Sequence, residues 1–256
     1  KLTRLVVLVA GCCLAVAGLF FFLSPCSAGD DTFHVSGGKL FRGDDEFTLK
    51  AIQVPDVGAS GGPVDVMISS MARIGESGGN AICFDLAGLS ADGGKIDPIG
   101  PATVKAFAER AKDQWMGLLV RVLGAGPSSP EARKRAVKTA AKALHDEGRA
   151  VYWIDGPDAG KLAKLFRRYA KNLVVAAPEN GQLTVVDQAP EKNPGATTLV
   201  AGVLPDPALG ADIHFVLPAG DATYAMLDKA LMTDVEKAPW TPDNSVLSEA
   251  ERKEGF

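Results

Sequence analysis

Short apolar runs alternate with amphipathic segments along most of the chain, and this alternation predicts a parallel sheet covered by helices. The apolar runs predict eight buried strands, at 49–54, 80–86, 116–123, 150–154, 173–177, 183–187, 198–204 and 213–217. Apolar positions at helical spacing predict helices at 63–74, from 101 onward, and at 129–147, 161–170 and 222–235. The predicted helices become sparse after residue 172.

Eight strands with intervening helices favour a (β/α)8 barrel of the TIM type, with an irregular, helix-poor second half. Two short alternating runs within 33–50, placed about Gly43, predict a β-hairpin ahead of the first barrel strand. A doubly wound open sheet is the alternative, but no Gly-rich phosphate turn follows the first strand. Barrel chemistry lies where strands end, so Asp155 and Asp158, just after the fourth strand, are the first candidates.

Charge and composition narrow the class of partner. The 256 residues carry a formal net charge of −4, and no basic stripe stands out, which predicts that nucleic acid is not a partner. The three histidines are scattered without metal-ligand spacing, so neither a metal nor another cofactor is predicted. Cys83 is the one cysteine beyond the N-terminal segment, so no internal disulfide is expected in the globular part.

Residues 1–28 are typical of an export segment. Lys1 and Arg4 precede an apolar run at 5–23, and the small residues Cys26 and Ala28 suit cleavage before Gly29. The run is longer than a usual signal-peptide core, so a retained membrane anchor is the alternative. The globular part is expected outside the cytoplasm, as a periplasmic, cell-surface or secreted protein that touches a membrane only through this segment.

Three segments of the predicted barrel resemble a known family. They are GKLFR with FTLKA at 38–42 and 47–51, NAICF at 80–84, and YWIDGPDA at 152–159. They are similar to the opening hairpin, the second strand and the fourth strand of the family 5 glycoside hydrolases, the cellulase- and mannanase-type retaining barrels. The resemblance spans roughly 33–180 and implies a bacterial-type TIM barrel that handles oligosaccharides or polysaccharides.

The catalytic residues that this family implies are not matched. Cys83 stands where the family has an Arg on its second strand, and Pro157-Asp158 stand where it has Asn-Glu after the fourth. A retaining glycosidase needs two carboxylates about 5–5.5 Å apart. No Glu between Glu191 and Glu236 supplies the second one from the seventh strand. The interpretation is a degenerate barrel, a pseudoenzyme that has lost the standard pair.

Two further carboxylates are candidates for a rearranged catalytic pair. Asp158 occupies the family's general-acid position, one methylene shorter than Glu, or else caps the helix that follows it. Glu179, in the turn after the fifth strand, is its candidate partner, or else an exposed turn carboxylate. A capping Asp would be hydrogen-bonded to backbone N–H groups and therefore a poor acid.

Three residues near strand ends are candidates for substrate binding. Asp85 interrupts the apolar run at 80–86, and is expected either at the barrel mouth with a hydrogen-bond partner or outside the core. Trp153 is a candidate to stack on a sugar ring, with core packing as its alternative. Asp155 either lines the pocket or simply makes the turn before Gly156.

The last ten residues, LSEAERKEGF at 247–256, resemble the lead-in to the secreted β-sandwich domains described as 3-keto-disaccharide hydrolases of Planctomycetes-like bacteria. The predicted organisation is an export segment at 1–28, a glycoside-hydrolase-like barrel at 29–237 and a linker or tail at 238–256. Three functions follow as hypotheses. They are a non-catalytic saccharide-binding or scaffolding barrel, an active hydrolase using Asp158 and Glu179, and a structural spacer for a downstream catalytic domain.

Export predicts a defined mature terminus. The intact mass of the protein recovered outside the cytoplasm should correspond to a chain that begins at Gly29, because Cys26 and Ala28 suit the cleavage site. Recovery of 5–23 in the membrane fraction would replace cleavage with anchoring. Recovery of the whole chain from the cytoplasm would contradict export.

Overall fold

The computed structural model describes residues 31–54, 64–124, 126–188, 195, 197–202, 213–221 and 223–224. The predicted export segment, most of the predicted helix at 222–235 and the tail at 238–256 lie outside these residues. Among the helices so described, none is long and apolar enough to cross a membrane.

The elements follow one another in the alternation that the sequence predicts. They are β1 Phe33–Ser36, β2 Lys39–Arg42, β3 Asp45–Glu46, β4 Lys50–Gln53, α1 Val64–Glu76, β5 Ala81–Asp85, α2 Ile99–Asp113, β6 Gly117–Arg121, α3 Pro130–Ala143, β7 Val151–Trp153, α4 Ala159–Tyr169, β8 Val174–Ala177, β9 Leu183–Val186, β10 Thr198–Ala201 and β11 His214–Pro218. Strands β4 to β11 are parallel and form a closed barrel in chain order, with β11 beside β4. The (β/α)8 prediction is confirmed.

The strands separate two buried cores because successive side chains point to opposite faces. One core fills the barrel with mostly small and branched side chains: Ala51, Ala81, Cys83, Leu119, Val151, Val174, Ala176, Leu183, Val185, Leu199 and Val216. The other lies between the strands and the helices, where α2 buries the predicted face of Val104, Phe107, Ala108 and Ala111.

Helix α3 begins as the sequence predicts and ends earlier. The Ser129 hydroxyl accepts a hydrogen bond from the N–H of Ala132 at 3.2 Å, which satisfies one of the unpaired N–H groups of the first turn. The helix ends at Ala143, whereas the sequence predicts Glu147. Glu147 is instead a buried carboxylate that binds the guanidinium of Arg149 at 2.8 Å, and its carbonyl accepts from the Tyr152 hydroxyl.

The N-terminal hairpin is present, and it carries a third strand. Strands β1 and β2 turn at Gly37 and Gly38, and a second turn at Gly43 leads into the short β3. This antiparallel sheet closes the N-terminal end of the barrel, because Phe33 and Leu40 join the inner core. The backbone N–H of Phe33 also donates to the Gly148 carbonyl at 2.7 Å.

The helix-poor second half has a clear example between β8 and β9, which are joined by five residues, 178–182, without a helix. Ala176 pairs with Leu183, so β9 begins at the level where β8 is ending. Below that level, the Gln182 side chain hydrogen-bonds the edge of β8 in place of a strand. Its oxygen accepts from the N–H of Val175, and its amide donates to the carbonyl of Leu173. A Cβ at Gly181 would come within 2.6 Å of the Leu183 carbonyl oxygen, so the turn requires glycine.

The sheet that closes the barrel is fastened by a buried arginine. Arg42 is 8% exposed; its Nε lies 2.6 Å and one Nη 3.0 Å from the two carboxylate oxygens of Asp31. The other Nη donates to the carbonyl of Met116 at 2.9 Å, directly before β6. The arginine therefore links the N-terminal sheet to the barrel wall.

Arg42→Met is expected to lower the free energy of unfolding by about 3 kcal/mol, because it leaves Asp31 and the Met116 carbonyl without their donor. Urea unfolding followed by far-UV circular dichroism measures the loss. The control is Lys39→Met, which removes the exposed pair with Glu46 and should cost less than about 1 kcal/mol. Equal losses in the two variants would contradict this role for Arg42.

Candidate functional site

The carboxyl end of the barrel brings three polar or aromatic side chains into one row. Asp85 on β5 is in register with Arg121 on β6, and Arg121 is in register with Trp153 on β7. Cys83 lies in the inner core, so Asp85, two residues further along β5, points to the same face. Trp153 packs against that inner core as well. The row therefore forms part of the floor of the barrel mouth.

Arg121 is the centre of this group, which we call the mouth cluster: Asp85, Arg121, Trp153 and Asp155. Its Nη2 and Nε lie 2.6 and 2.8 Å from Asp155 Oδ2, and its Nη1 lies 3.6 Å from Asp85 Oδ1. The guanidinium carbon also stands 5.3 Å from the ring centroid of Trp153. One cation thus holds two carboxylates and one indole.

The balance of burial and charge at Arg121 favours its ionised form. Partial burial lowers the pKa of Arg121, but the hydrogen bond and charge of Asp155, with the charge of Asp85, raise that pKa by more. The cluster as a whole carries two negative charges and one positive charge, so the mouth has an excess of negative charge there.

Two neighbouring residues hold the cluster in place. Gly124 has a positive φ of 42°, and a Cβ there would come within 2.6 Å of Asp85 Oδ2, so the loop after β6 can pass Asp85 only as glycine. Arg133, in the first turn of α3, donates from Nη2 to the Asp155 carbonyl at 2.5 Å. The loop after β7 is thereby tied to α3, the helix that precedes that strand.

Cys83 lies one layer below the cluster and is not suited to act as a nucleophile. The thiol is fully buried. Burial raises the pKa of the Cys83 thiol far above its ordinary value, and the charge of Asp85 raises it further, while Arg121 partly opposes both. The reactive species of cysteine is the thiolate, so Cys83 is a core residue here.

Trp153 carries a hydrogen-bond donor for which the described part of the chain offers no acceptor. Its Nε1 is buried and has no acceptor among the residues that the structure describes. Buried indole N–H groups normally have a partner, and an unsatisfied one requires a physical explanation. Because Nε1 is closed to solvent, its acceptor has to be a residue outside the described ranges or a ligand atom that reaches below the surface of the mouth.

The candidate pair Asp158 and Glu179 lies beside the first turn of α4. Asp158 occupies the N-cap position of α4, but its side chain makes no capping hydrogen bond, so the expectation that it caps the helix with its side chain is wrong. Its φ of −106° and ψ of 13° differ from the extended backbone that a capping side chain usually needs. Glu179 is exposed and lies against Gly160, in the first turn of the same helix.

A second tryptophan, Trp115, lies at the opposite end of the barrel. It precedes β6, is 76% exposed and has a positive φ of 55°. It cannot share a ligand with Trp153. Within the described ranges, no group of three or more His, Cys, Asp or Glu side chains could hold a metal ion.

The sequence located three of the four members of the mouth cluster but not Arg121. Asp85, Trp153 and Asp155, the predicted substrate-binding residues, are brought together by the arginine. The sequence did contain a sign of Arg121. It interrupts the apolar run MGLLVRVL just as Asp85 interrupts the preceding apolar run. Only the strand register shows that the two interruptions are neighbours.

No family model and no curated protein matches this chain. Its structural neighbours are TIM-barrel glycosidases. A glycoside hydrolase is 14% identical with a TM-score of 0.45, over 57% of this chain and 40% of its own. A family 5 glycoside hydrolase from Bacteroides vulgatus is 12% identical with a TM-score of 0.48, over 74% and 53%. An endo-1,4-β-mannanase from Eisenia fetida is 9% identical with a TM-score of 0.49, over 77% and 94%.

The chain therefore spans about half or less of the length of the first two of these proteins. Similarity of this degree concerns the barrel architecture, on which many unrelated activities are built, and it does not bear on chemistry. What the chain does has to be argued from its own mouth cluster.

The buried thiol predicts a particular pH dependence of stability. The thiol of the unfolded chain ionises near pH 8.5, but that of the folded chain stays protonated because burial raises the pKa of Cys83. The buried thiol therefore makes its full contribution to the free energy of unfolding below about pH 8.5. Above that pH the free energy of unfolding should fall by about 1.4 kcal/mol per pH unit from this group.

Cys83→Ala should remove this component of the slope between pH 8.5 and 10, whatever its effect on stability at pH 7. Urea unfolding of both proteins at intervals of half a pH unit measures the difference. The window ends near pH 10 because Tyr152, whose pKa burial also raises, begins to contribute there. Parallel pH profiles for the two proteins would contradict the assignment.

Proposed function

We propose that this chain is an exported, glycoside-hydrolase-like barrel that binds a saccharide at its mouth without hydrolysing it. The observation that carries the proposal is the Trp153 indole, whose N–H is buried beside Arg121 and lacks an acceptor among the described residues. The export segment at 1–28 and the three family-like segments agree with a carbohydrate-handling protein outside the cytoplasm.

The mouth cluster has the chemistry that a neutral sugar needs. An indole offers an apolar face to the C–H groups of a pyranose ring and an N–H to one of its oxygens. The carboxylates of Asp85 and Asp155 offer further lone pairs, because a carboxylate has about four acceptor positions. Sugar hydroxyls can donate to these, whereas an acidic sugar would meet the negative excess of the cluster.

The same cluster argues against retaining hydrolysis. That reaction needs one carboxylic acid and one carboxylate, each directed at the anomeric centre. Asp85 and Asp155 are instead both ion-paired with one guanidinium, which engages Oδ2 of Asp155 and lies 3.6 Å from Oδ1 of Asp85. We therefore assign them to ligand positioning rather than to proton transfer.

An active hydrolase with Asp158 as acid and Glu179 as partner is the second candidate, and one observation favours it. Asp158 makes no capping hydrogen bond, so its carboxyl group is not committed to the backbone of α4. Both residues belong to loops on the carboxyl side of the barrel, and Glu179 lies against the first turn of α4.

The third function, a structural spacer for a downstream catalytic domain, requires no ligand binding at the barrel mouth.

Binding and turnover together separate the three functions. Full-length protein in neutral detergent should bind neutral oligosaccharides such as cellohexaose or mannohexaose in isothermal titration, without releasing reducing ends. Trp153→Phe should weaken binding about fivefold, because phenylalanine has a smaller ring and no N–H. This change in Kd corresponds to a loss of roughly 1 kcal/mol. The matched control, Trp115→Phe, should leave the Kd unchanged, because Trp115 lies at the other end of the barrel.

Turnover that Asp158→Ala or Glu179→Ala abolishes would overturn the non-catalytic proposal and establish the second candidate. Absence of binding across a panel of neutral glycans would contradict saccharide binding and favour the spacer role. Binding that Trp153→Phe does not weaken would contradict a site at the mouth cluster. The melting temperature of each variant checks that it is folded.

A further inference from the structure

Two neighbouring outer helices carry a concentration of positive charge. Helix α3 has five basic residues and one acidic residue, and α4 has four basic residues and no acidic one. The whole chain has 27 basic and 31 acidic residues. The expectation from the sequence that no basic stripe exists is therefore wrong, because the two helices come together only in the fold. We call this surface the α3–α4 face.

The cations of the α3–α4 face stand in two rows. Lys134, Lys138 and Lys142 follow one another at intervals of four residues on α3, about one helical turn apart. Lys164 and Arg168 have the same spacing on α4. The rows approach each other at Tyr169, where Lys138 Nζ and Lys142 Nζ lie 5.5 and 5.6 Å from the ring centroid.

These cations form no ion pair within the described part of the chain, in contrast with those of α2. On α2, Lys105 pairs with Asp146 at 3.0 Å, and Arg110 is 4.0 Å from Asp113. No carboxylate of the described residues forms an ion pair with the lysines of the first row or with Lys164 and Arg168. The excess positive charge of the α3–α4 face is therefore available to an external anion.

A groove of about 440 Å³ lies between the first turns of α3 and helix α4, next to the first residue of the α3 row and both residues of the α4 row. Lys134, Lys161, Lys164 and Arg168 line it, with Leu162 and Leu165 among the lining residues. Two carboxylates, those of Glu131 and Asp158, also line it. The groove thus combines four cationic side chains, two carboxylates and an apolar component.

We propose that the α3–α4 face binds an acidic polysaccharide, a linear glycan bearing carboxylate or sulfate groups. Anionic groups that recur along a chain can meet cations that recur along two helices, and the leucines can contact the C–H faces of the sugar rings. The site is separate from the mouth cluster and does not depend on the function proposed for it. It would retain the barrel on an anionic matrix while the mouth stays open.

The surface fits a glycan better than the other common polyanions. Insertion into a membrane needs large exposed apolar side chains, and the exposed ones that the structure describes, Ile99 and Trp115, belong to neither helix. Binding to single-stranded nucleic acid uses exposed aromatic platforms. Helix α4 carries two aromatic rings: Phe166 is buried, and Tyr169 is approached by two lysines.

The test uses full-length protein in neutral detergent with polygalacturonate and dextran sulfate as probes and neutral dextran as the blank. Both acidic probes should bind with an affinity that falls steeply with salt, and the stronger of the two identifies carboxylate or sulfate as the preferred group. The triple variant Lys134→Gln, Lys164→Gln, Arg168→Gln should bind about tenfold more weakly and with a flatter salt dependence.

The matched control is Lys105→Gln, Arg110→Gln, Lys112→Gln, which removes the same number of lysines and arginines from an exposed helix face and changes net charge equally. It should keep the affinity within about twofold, as should Trp153→Phe. Equal loss in both triple variants would reduce the effect to net charge and overturn the proposal. Oligo-dT binding as tight as that of both glycans, with the same variant dependence, would overturn the assignment to a polysaccharide.

Discussion

The pairing of β11 with β4 is the constraint on which the rest of the molecule depends. Four register pairs run from Phe215 with Lys50 to Pro218 with Gln53, and they turn an open sheet into a closed one. The backbone N–H of Leu49 also donates to Nδ1 of His214 at 2.9 Å, which adds a side-chain bond to the seam. Closure removes both sheet edges and brings every strand end to a common rim, where the mouth cluster is assembled.

Much of the fold follows from local pattern, and the site follows from it only in part. The eight apolar runs and the face of α2 are local features, so the sequence located them closely. The end of α3 was missed because Glu147 has high helix propensity, yet the fold uses it as a buried partner of Arg149. Asp158 was misjudged because its type suits a cap, whereas the backbone that it adopts does not.

What the sequence could not provide is adjacency. Arg121 and Asp85 are ordinary interruptions of two apolar runs until the register of β5 and β6 places them side by side. The basic face has the same origin, because neither α3 nor α4 is unusual alone and their charges combine only when the helices pack together. Net charge, a property of the whole chain, conceals both the acidic excess at the mouth and the basic excess on the α3–α4 face.

The closing seam also determines when the barrel can form. Leu49 and His214 are 165 residues apart, whereas the other strand pairs of the barrel join strands that follow one another along the chain. A nascent chain can therefore build the sheet progressively from β4, but it keeps two unpaired edges until β11 has emerged. During that interval the apolar strands are open to pairing with other chains, so the last barrel strand determines both the rate of folding and the length of exposure to aggregation.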